Sequence, residues 1–164
     1  MKIEDVIKSG KVDFSNVPPG YYLIGLLSAF ENRFQTIADG MMKEISWKQF
    51  FAIICITMCT EAPTLKELSE ILGSSHQNVK QILLKLEKKG FIKFQEDKED
   101  KRKQRIVLTS ACKRFCEKND EMSRNIMSSM FNGISEKDIR TTIKTIIAIE
   151  KNLREGETQD EKSK

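Results

Sequence analysis

Two short capped helices separated by a tight turn, with a change of periodicity directly behind them, constrain this chain more than any other feature in it. Pro63-Thr64-Leu65-Lys66-Glu67 is a capping box, in which Thr64 accepts the amide of Glu67 while the Glu67 carboxylate reaches back to Thr64. It opens the short helix TLKELSEIL, which Gly73 closes, because a glycine readily takes the left-handed conformation that ends a helix. Ser74 or Ser75 then caps a second helix from His76 to Lys89, with Val79, Ile82, Leu83 and Leu86 on one face and Gln77, Lys80, Gln81 and Lys88 elsewhere. Such a pair is a helix-turn-helix. After Gly90 the period falls from that of a helix to that of a strand: in FIKFQ and QRIVLT, Ile92, Phe94, Ile106 and Leu108 alternate with Lys93, Gln95, Arg105 and Val107. The charged EDKEDKRK lies between them. A charged hairpin directly behind a helix-turn-helix predicts a winged helix.

The flanks are helical. Residues 1–19 end in Val17-Pro18-Pro19, before Gly20, and read as an arm with one helical turn at Ile3–Lys8. From Tyr21 to Met42, Leu23, Leu26, Leu27, Phe30, Phe34 and Ile37 recur at helical spacing. Ser46-x-x-Gln49 caps a helix through FFAIICITMC, which is apolar all round and therefore expected to be buried. Beyond the wing, one helix runs from Ser110 to Asn132, and Ser135 caps a last one carrying Ile139, Ile143, Ile146, Ile147 and Leu153. These outer helices carry more apolar face than so small a domain can cover, which predicts pairing with a second copy. The fold class is thus mainly α with a small β-wing. Residues 20–154 are expected to form a single domain in which 20–44 and 110–154 are dimerisation helices and 45–109 the winged helix, with 155–164 a disordered tail.

The charge sits where such a module would need it. The 164 residues carry a net charge of +4, and between His76 and Thr109 ten basic residues meet five acids, so this segment accounts for the whole excess. That is the footprint of a surface facing a polyanion, although a Lys-rich stretch can also be a solvated face. No apolar run approaches membrane-spanning length, and the opening MKIEDVIKSG carries acids where a secretory signal is apolar, so a cytoplasmic protein is expected. In that reducing compartment Cys55, Cys59, Cys112 and Cys116 are expected as thiols. No phosphate-binding glycine loop, nucleophile elbow or metalloprotease motif is present, which argues against an enzyme and against a cofactor.

In order and spacing, Ser46-x-x-Gln49, Thr64-Leu65-x-Glu67-Leu68, Leu86-Glu87-Lys88-Lys89-Gly90, Asp97-x-x-Asp100-x-Arg102 with Leu108-Thr109, and Phe131-x-Gly133-Ile134-Ser135 resemble the MarR family (multiple-antibiotic-resistance regulators) of bacterial transcription factors over residues 21–154. The resemblance implies a homodimeric repressor on a pseudo-palindromic operator, with recognition helix 75–89 in the major groove and wing 91–109 in the minor groove, and with a small ligand as one means of release. It assigns double-stranded DNA contact to Ser75, His76, Gln77, Lys80, Gln81, Lys101 and Arg102. Asp100 would support the wing by holding Arg102 through a charge-assisted hydrogen bond. Phe30, Trp47, Phe51 and Phe115 would fall where relatives bind effectors, though core packing explains each of them as well. Gln77-Asn78-Val79-Lys80-Gln81 departs from the family's recognition-helix pattern, and its glutamines, able to pair with adenine, favour an A·T-leaning site.

The residues also allow two rival chemistries. Cys55 with Cys59, and Cys112 with Cys116, are i,i+4 pairs that could form a thiol switch or a set of soft metal ligands, against plain packing in apolar stripes. His76 has no partner histidine, so contact with phosphate or base is favoured over a metal or catalytic role. A dimeric winged helix that binds protein rather than DNA is the remaining alternative.

Overall fold

The computed structural model describes residues 16–161. The helical turn expected at Ile3–Lys8 lies outside the described residues. The order of elements is α1 (Pro19–Met41), α2 (Trp47–Met58), α3 (Leu65–Leu72), α4 (His76–Lys88), β1 (Ile92–Glu96), β2 (Gln104–Leu108), α5 (Ser110–Met130) and α6 (Glu136–Glu161). The chain divides into two compact units, one ending at Arg114 and the other beginning at Phe115.

The first unit holds the winged helix. Ser46 and Gln49 form the expected reciprocal capping box at the start of α2, and Thr64 and Glu67 form the second one at α3. Gly73 ends α3 at φ 58°, and Ser75 caps α4 by accepting the amide of Asn78. The core is built from Ile53 and Ile56 of α2, Leu68 of α3, Val79, Leu83 and Leu86 of α4, and Ile92 and Ile106 of the hairpin, all buried. β1 and β2 pair antiparallel from Ile92 opposite Leu108 to Glu96 opposite Gln104. On its other edge β2 is held by the amide of Ile106, which donates to the Pro63 carbonyl at 2.8 Å. The base of the hairpin is closed by Thr109, whose hydroxyl donates to the Gly90 carbonyl and accepts the amide of Cys112.

Three sequence expectations need correction. Residues 1–19 read as an arm ending in Pro18-Pro19, yet α1 begins at Pro19: a proline in the first turn loses no helical hydrogen bond and arrives with its φ already set. α2 is not buried all round, since Phe51 is exposed and Met58, in its last turn, is 78% exposed. Residues 155–161 of the expected disordered tail continue α6 as far as Glu161; Glu155, Glu157, Gln159 and Glu161 are good helix formers, and the i,i+4 pair of Lys151 with Glu155 supports the preceding turn.

The second unit, from Phe115, comprises most of α5 and all of α6. Gly133, at φ 77°, makes the turn between them, and Ser135 caps α6 by accepting the amide of Asp138. Met127, Phe131, Ile134, Ile143, Ile146, Ile147 and Leu153 of this unit are all exposed. Among the described residues, no helix is long and apolar enough to cross a membrane.

Candidate nucleic-acid interface

The helix α4 is anchored by one face and open to solvent on the other. Val79, Leu83 and Leu86 are buried, whereas His76, Gln77, Asn78, Lys80 and Gln81 are exposed. Gln77, Lys80 and Gln81 recur at three- and four-residue spacing and so share one side of the helix. Ser75 is engaged as the N-cap through its hydroxyl oxygen at 3.3 Å from the Asn78 amide, which leaves its hydroxyl hydrogen for an acceptor outside the helix. The amides at this N-terminus carry partial positive charge, a setting that suits phosphate. Sequence reasoning misses Leu84. It is 42% exposed, one turn beyond Lys80, and extends the same open face with an apolar group. Helical spacing from Gln77 and Lys80 is the available signal.

The wing tip is organised around Asp97, which the sequence presents only as part of a motif. Its Oδ1 accepts the amides of Glu99 and Asp100, each at 2.9 Å, while its Oδ2 takes the Nε hydrogen of Arg105. Only 10% of the Asp97 side chain remains exposed. The Asp100 amide foremost, then the Arg105 guanidinium and the Glu99 amide, push its pKa down to about 2. Arg105 also donates through Nη1 to the Ala62 carbonyl at 3.1 Å and to Glu67 Oε2 at 3.3 Å. Glu67 is therefore held as a carboxylate from two directions. Its pKa is lowered by the Thr64 amide first, then by the Thr64 hydroxyl and the charge of Arg105.

Lys101 and Arg102 are exposed at the tip, as the wing reading requires. Asp100 does not work as expected. Its Oδ1 accepts the backbone amide of Arg102 at 3.1 Å, and its Oδ2 pairs with Lys103 Nζ at 3.5 Å, so it shapes the turn beneath Arg102 rather than holding the guanidinium. The physical reason is reach: a short carboxylate two residues before an amide forms an Asx-type turn with less ordering than a contact with a long side chain.

Three of the four aromatic residues expected at an effector site come together. Trp47 stacks on Phe51 (centroids 5.8 Å apart), meets Phe34 edge-on at 4.7 Å, and Phe34 in turn stacks on Phe30 at 5.7 Å. The backbone amide of Trp47 is taken by Asp39 Oδ1 of α1, which fixes the start of α2 against the end of α1. Phe115 lies on α5 in the second unit. Of the cysteines, Cys55 and Cys112 are buried and Cys59 and Cys116 half-buried, all as thiols rather than disulfides. Burial, then the neighbouring Cys59, pushes the Cys55 thiol pKa up, which disfavours the reactive thiolate. Among the described residues, no group of three or more His, Cys, Asp or Glu side chains is placed to hold a metal ion.

Residues 45–103, which run from the start of α2 to the wing tip, match the sequence model of the MarR family. The fold matches that of a MarR/EmrR family transcriptional regulator from Acinetobacter sp. ADP1 with a TM-score of 0.75 at 15% identity, covering 85% of this chain and 99% of that one. A MarR protein from Peptoclostridium difficile matches at 0.69 and 22% identity, over 88% and 94% of the two chains. The S. aureus MepR–DNA complex matches at 0.71 and 16% identity, over 85% and 99%. At these identities the likeness is one of fold.

Proposed function

Because residues 45–103 match the sequence model of the MarR family, we propose that the chain is a sequence-specific, double-stranded DNA-binding transcriptional regulator of the cytoplasm, with no catalytic step. α4 enters the major groove with Gln77 and Gln81 toward base edges, Lys80 within reach of a base edge and of a phosphate, and Ser75 and His76 toward phosphate, and Lys101 and Arg102 enter the flanking minor groove. The observation that carries this reading is the exposed polar face of α4 beside an exposed basic tip, on a segment that holds all of the chain's excess positive charge. Solved structures of similar fold include DNA complexes.

The protein acts as a homodimer on a pseudo-palindromic operator, in the repressor mode usual for the family, with α1 and the helices of the second unit as dimerisation elements. The exposed Ile143, Ile147 and Leu153 support this, since apolar side chains grouped in the open on one helix are typical of an interaction surface. A small effector binds at the Trp47 cluster, where Phe30 and Phe51 remain partly open to solvent. An electrophoretic shift of the chain's own upstream region tests the DNA assignment. A shifted band that is competed by an inverted repeat and not by bulk DNA is expected; the absence of a shift at micromolar protein would favour a protein-binding winged helix instead.

A further inference from the structure

Arg105 stands in β2, in register with Gln95 of β1, at a position where a strand residue ordinarily only covers the hairpin. Here it reaches three acceptors that belong to three different parts of the winged helix: Asp97 at the entry to the wing tip, the carbonyl of Ala62 before α3, and Glu67 in the first turn of α3. We propose that Arg105 is a positioning residue for DNA binding, which locks the wing tip to the helix-turn-helix so that the tip and α4 are presented to one duplex in a fixed relation. The proposal rests on the DNA-binding reading above and adds a residue that touches no DNA.

Each end of the lock is itself fixed. Asp97 gathers the amides of Glu99 and Asp100, so the chain entering the tip is wrapped around the carboxylate that Arg105 holds. Glu67 closes the capping box of α3 through the Thr64 amide at 2.7 Å and hydroxyl at 3.0 Å, so its position is tied to that helix. The amide of Ile106, the residue after Arg105, donates to the Pro63 carbonyl and sets the strand beside the same segment. Lys101 and Arg102 project from a tip whose base is thereby tied to α3, and α3 packs against α4. A planar guanidinium can serve acceptors in several directions at once from one side chain; a lysine ammonium offers a point charge without that fork. Because the Arg105 side chain is only 26% exposed and its Nε and Nη1 donors face protein acceptors, its contribution to DNA binding passes through the tip.

The test uses the full chain and a duplex selected by the wild type from a random pool, alongside the same duplex with the A·T pairs flanking the half-sites replaced by G·C. A tip seated in the minor groove is sensitive to that replacement, since narrow A·T-rich grooves attract an inserted arginine. Wild type should lose about tenfold in affinity on the G·C-flanked duplex. Arg105→Gln should bind the original duplex about tenfold more weakly than wild type and show little further loss on the G·C-flanked one. Asp97→Asn should behave alike, and the double variant should be no worse than either single one, because the two act as a unit. Arg105→Lys, which keeps the charge, should recover little of the flank discrimination; it also serves if the glutamine variant fails to fold by circular dichroism. An Arg105→Gln protein that is weaker on both duplexes but still discriminates between them, or one that matches wild type on both, overturns the positioning role. A wild type that selects no duplex at all overturns the DNA-binding reading itself, a different result.

Discussion

Substitutions of Asp100 separate two effects of opposite sign. Its carboxylate accepts the Arg102 amide at 3.1 Å and faces Lys103 at 3.5 Å, with both side chains well exposed. Removing a negative charge from a surface that meets phosphates should tighten binding. At roughly 10 Å in water one such charge is worth about 0.4 kcal/mol, and screening over a Debye length of about 8 Å reduces that to about 0.1 kcal/mol. Losing an exposed hydrogen bond that sets the turn beneath Arg102 costs about 0.5–1 kcal/mol per wing, so the turn outweighs the charge. Asp100→Ala should therefore weaken binding by about twofold to fivefold per wing. Asp100→Asn keeps an oxygen acceptor for the same amide and loses only the charge, so it should bind within about twofold of wild type, on the tight side. On an Arg102→Ala background, which alone should cost on the order of 1–3 kcal/mol, adding Asp100→Ala should matter little. Fluorescence anisotropy at fixed salt on a selected duplex reads all four proteins. If Asp100→Ala binds more tightly than wild type, or Asp100→Asn is as weak as the alanine variant, the turn-setting role is wrong.

The folded pKa of Asp97, about 2, lies below its ordinary value of 3.8, so its ionised form stabilises the wing at all pH above the usual carboxylate range, and that support is lost as pH falls through about 2. Carboxyl NMR should place its midpoint near 2 in wild type and nearer the ordinary value in Arg105→Gln; an ordinary midpoint in wild type would contradict the network. Iodoacetamide should modify Cys59 and Cys116 before the buried Cys55 and Cys112, and Cys112→Ala, at a fully buried site, should lower stability by about 1 kcal/mol in urea unfolding. DNA release by peroxide that is lost in Cys59→Ala would instead establish a thiol switch. Light scattering at micromolar concentration should give about twice 18.9 kDa, and Ile147→Glu, at a residue 59% exposed in the single chain, should shift the protein toward monomer. An Ile147→Glu dimer as tight as wild type would move the interface elsewhere.

Much of the fold is legible in the sequence because its signals are local. The capping boxes at Ser46 and Thr64, the left-handed glycine at position 73 and the switch of period after Gly90 each depend on residues a few positions apart, and the structure places α2, α3, α4 and the hairpin accordingly. The Asp97–Arg105–Glu67 connection is not legible, because it joins residues up to 38 positions apart and depends on how the hairpin packs on α3. Charge counting even points away from it, by assigning Arg105 to the basic footprint and Asp97 to the acids that oppose it. For Asp100 the sequence indicates the right place with the wrong partner atom, since a motif gives spacing but not whether a carboxylate meets a side chain or a backbone amide. Pro19, read as the end of the arm, is instead the first helical residue, because a proline there gives up no helical hydrogen bond and so does not block the helix that follows.

If α4 and the wing tip together grip duplex DNA through its phosphates, the affinity of the full chain for its selected duplex must depend on salt. Each phosphate neutralised by a lysine or arginine releases a counterion, so several such contacts per dimer predict a linear fall of log affinity with log salt and a loss of about tenfold or more between roughly 50 and 200 mM. Lys80→Ala and Lys101→Ala should each make that slope shallower by about one contact per half-site. An affinity that does not change over this range, or a slope that both variants leave untouched, would contradict DNA binding through this surface.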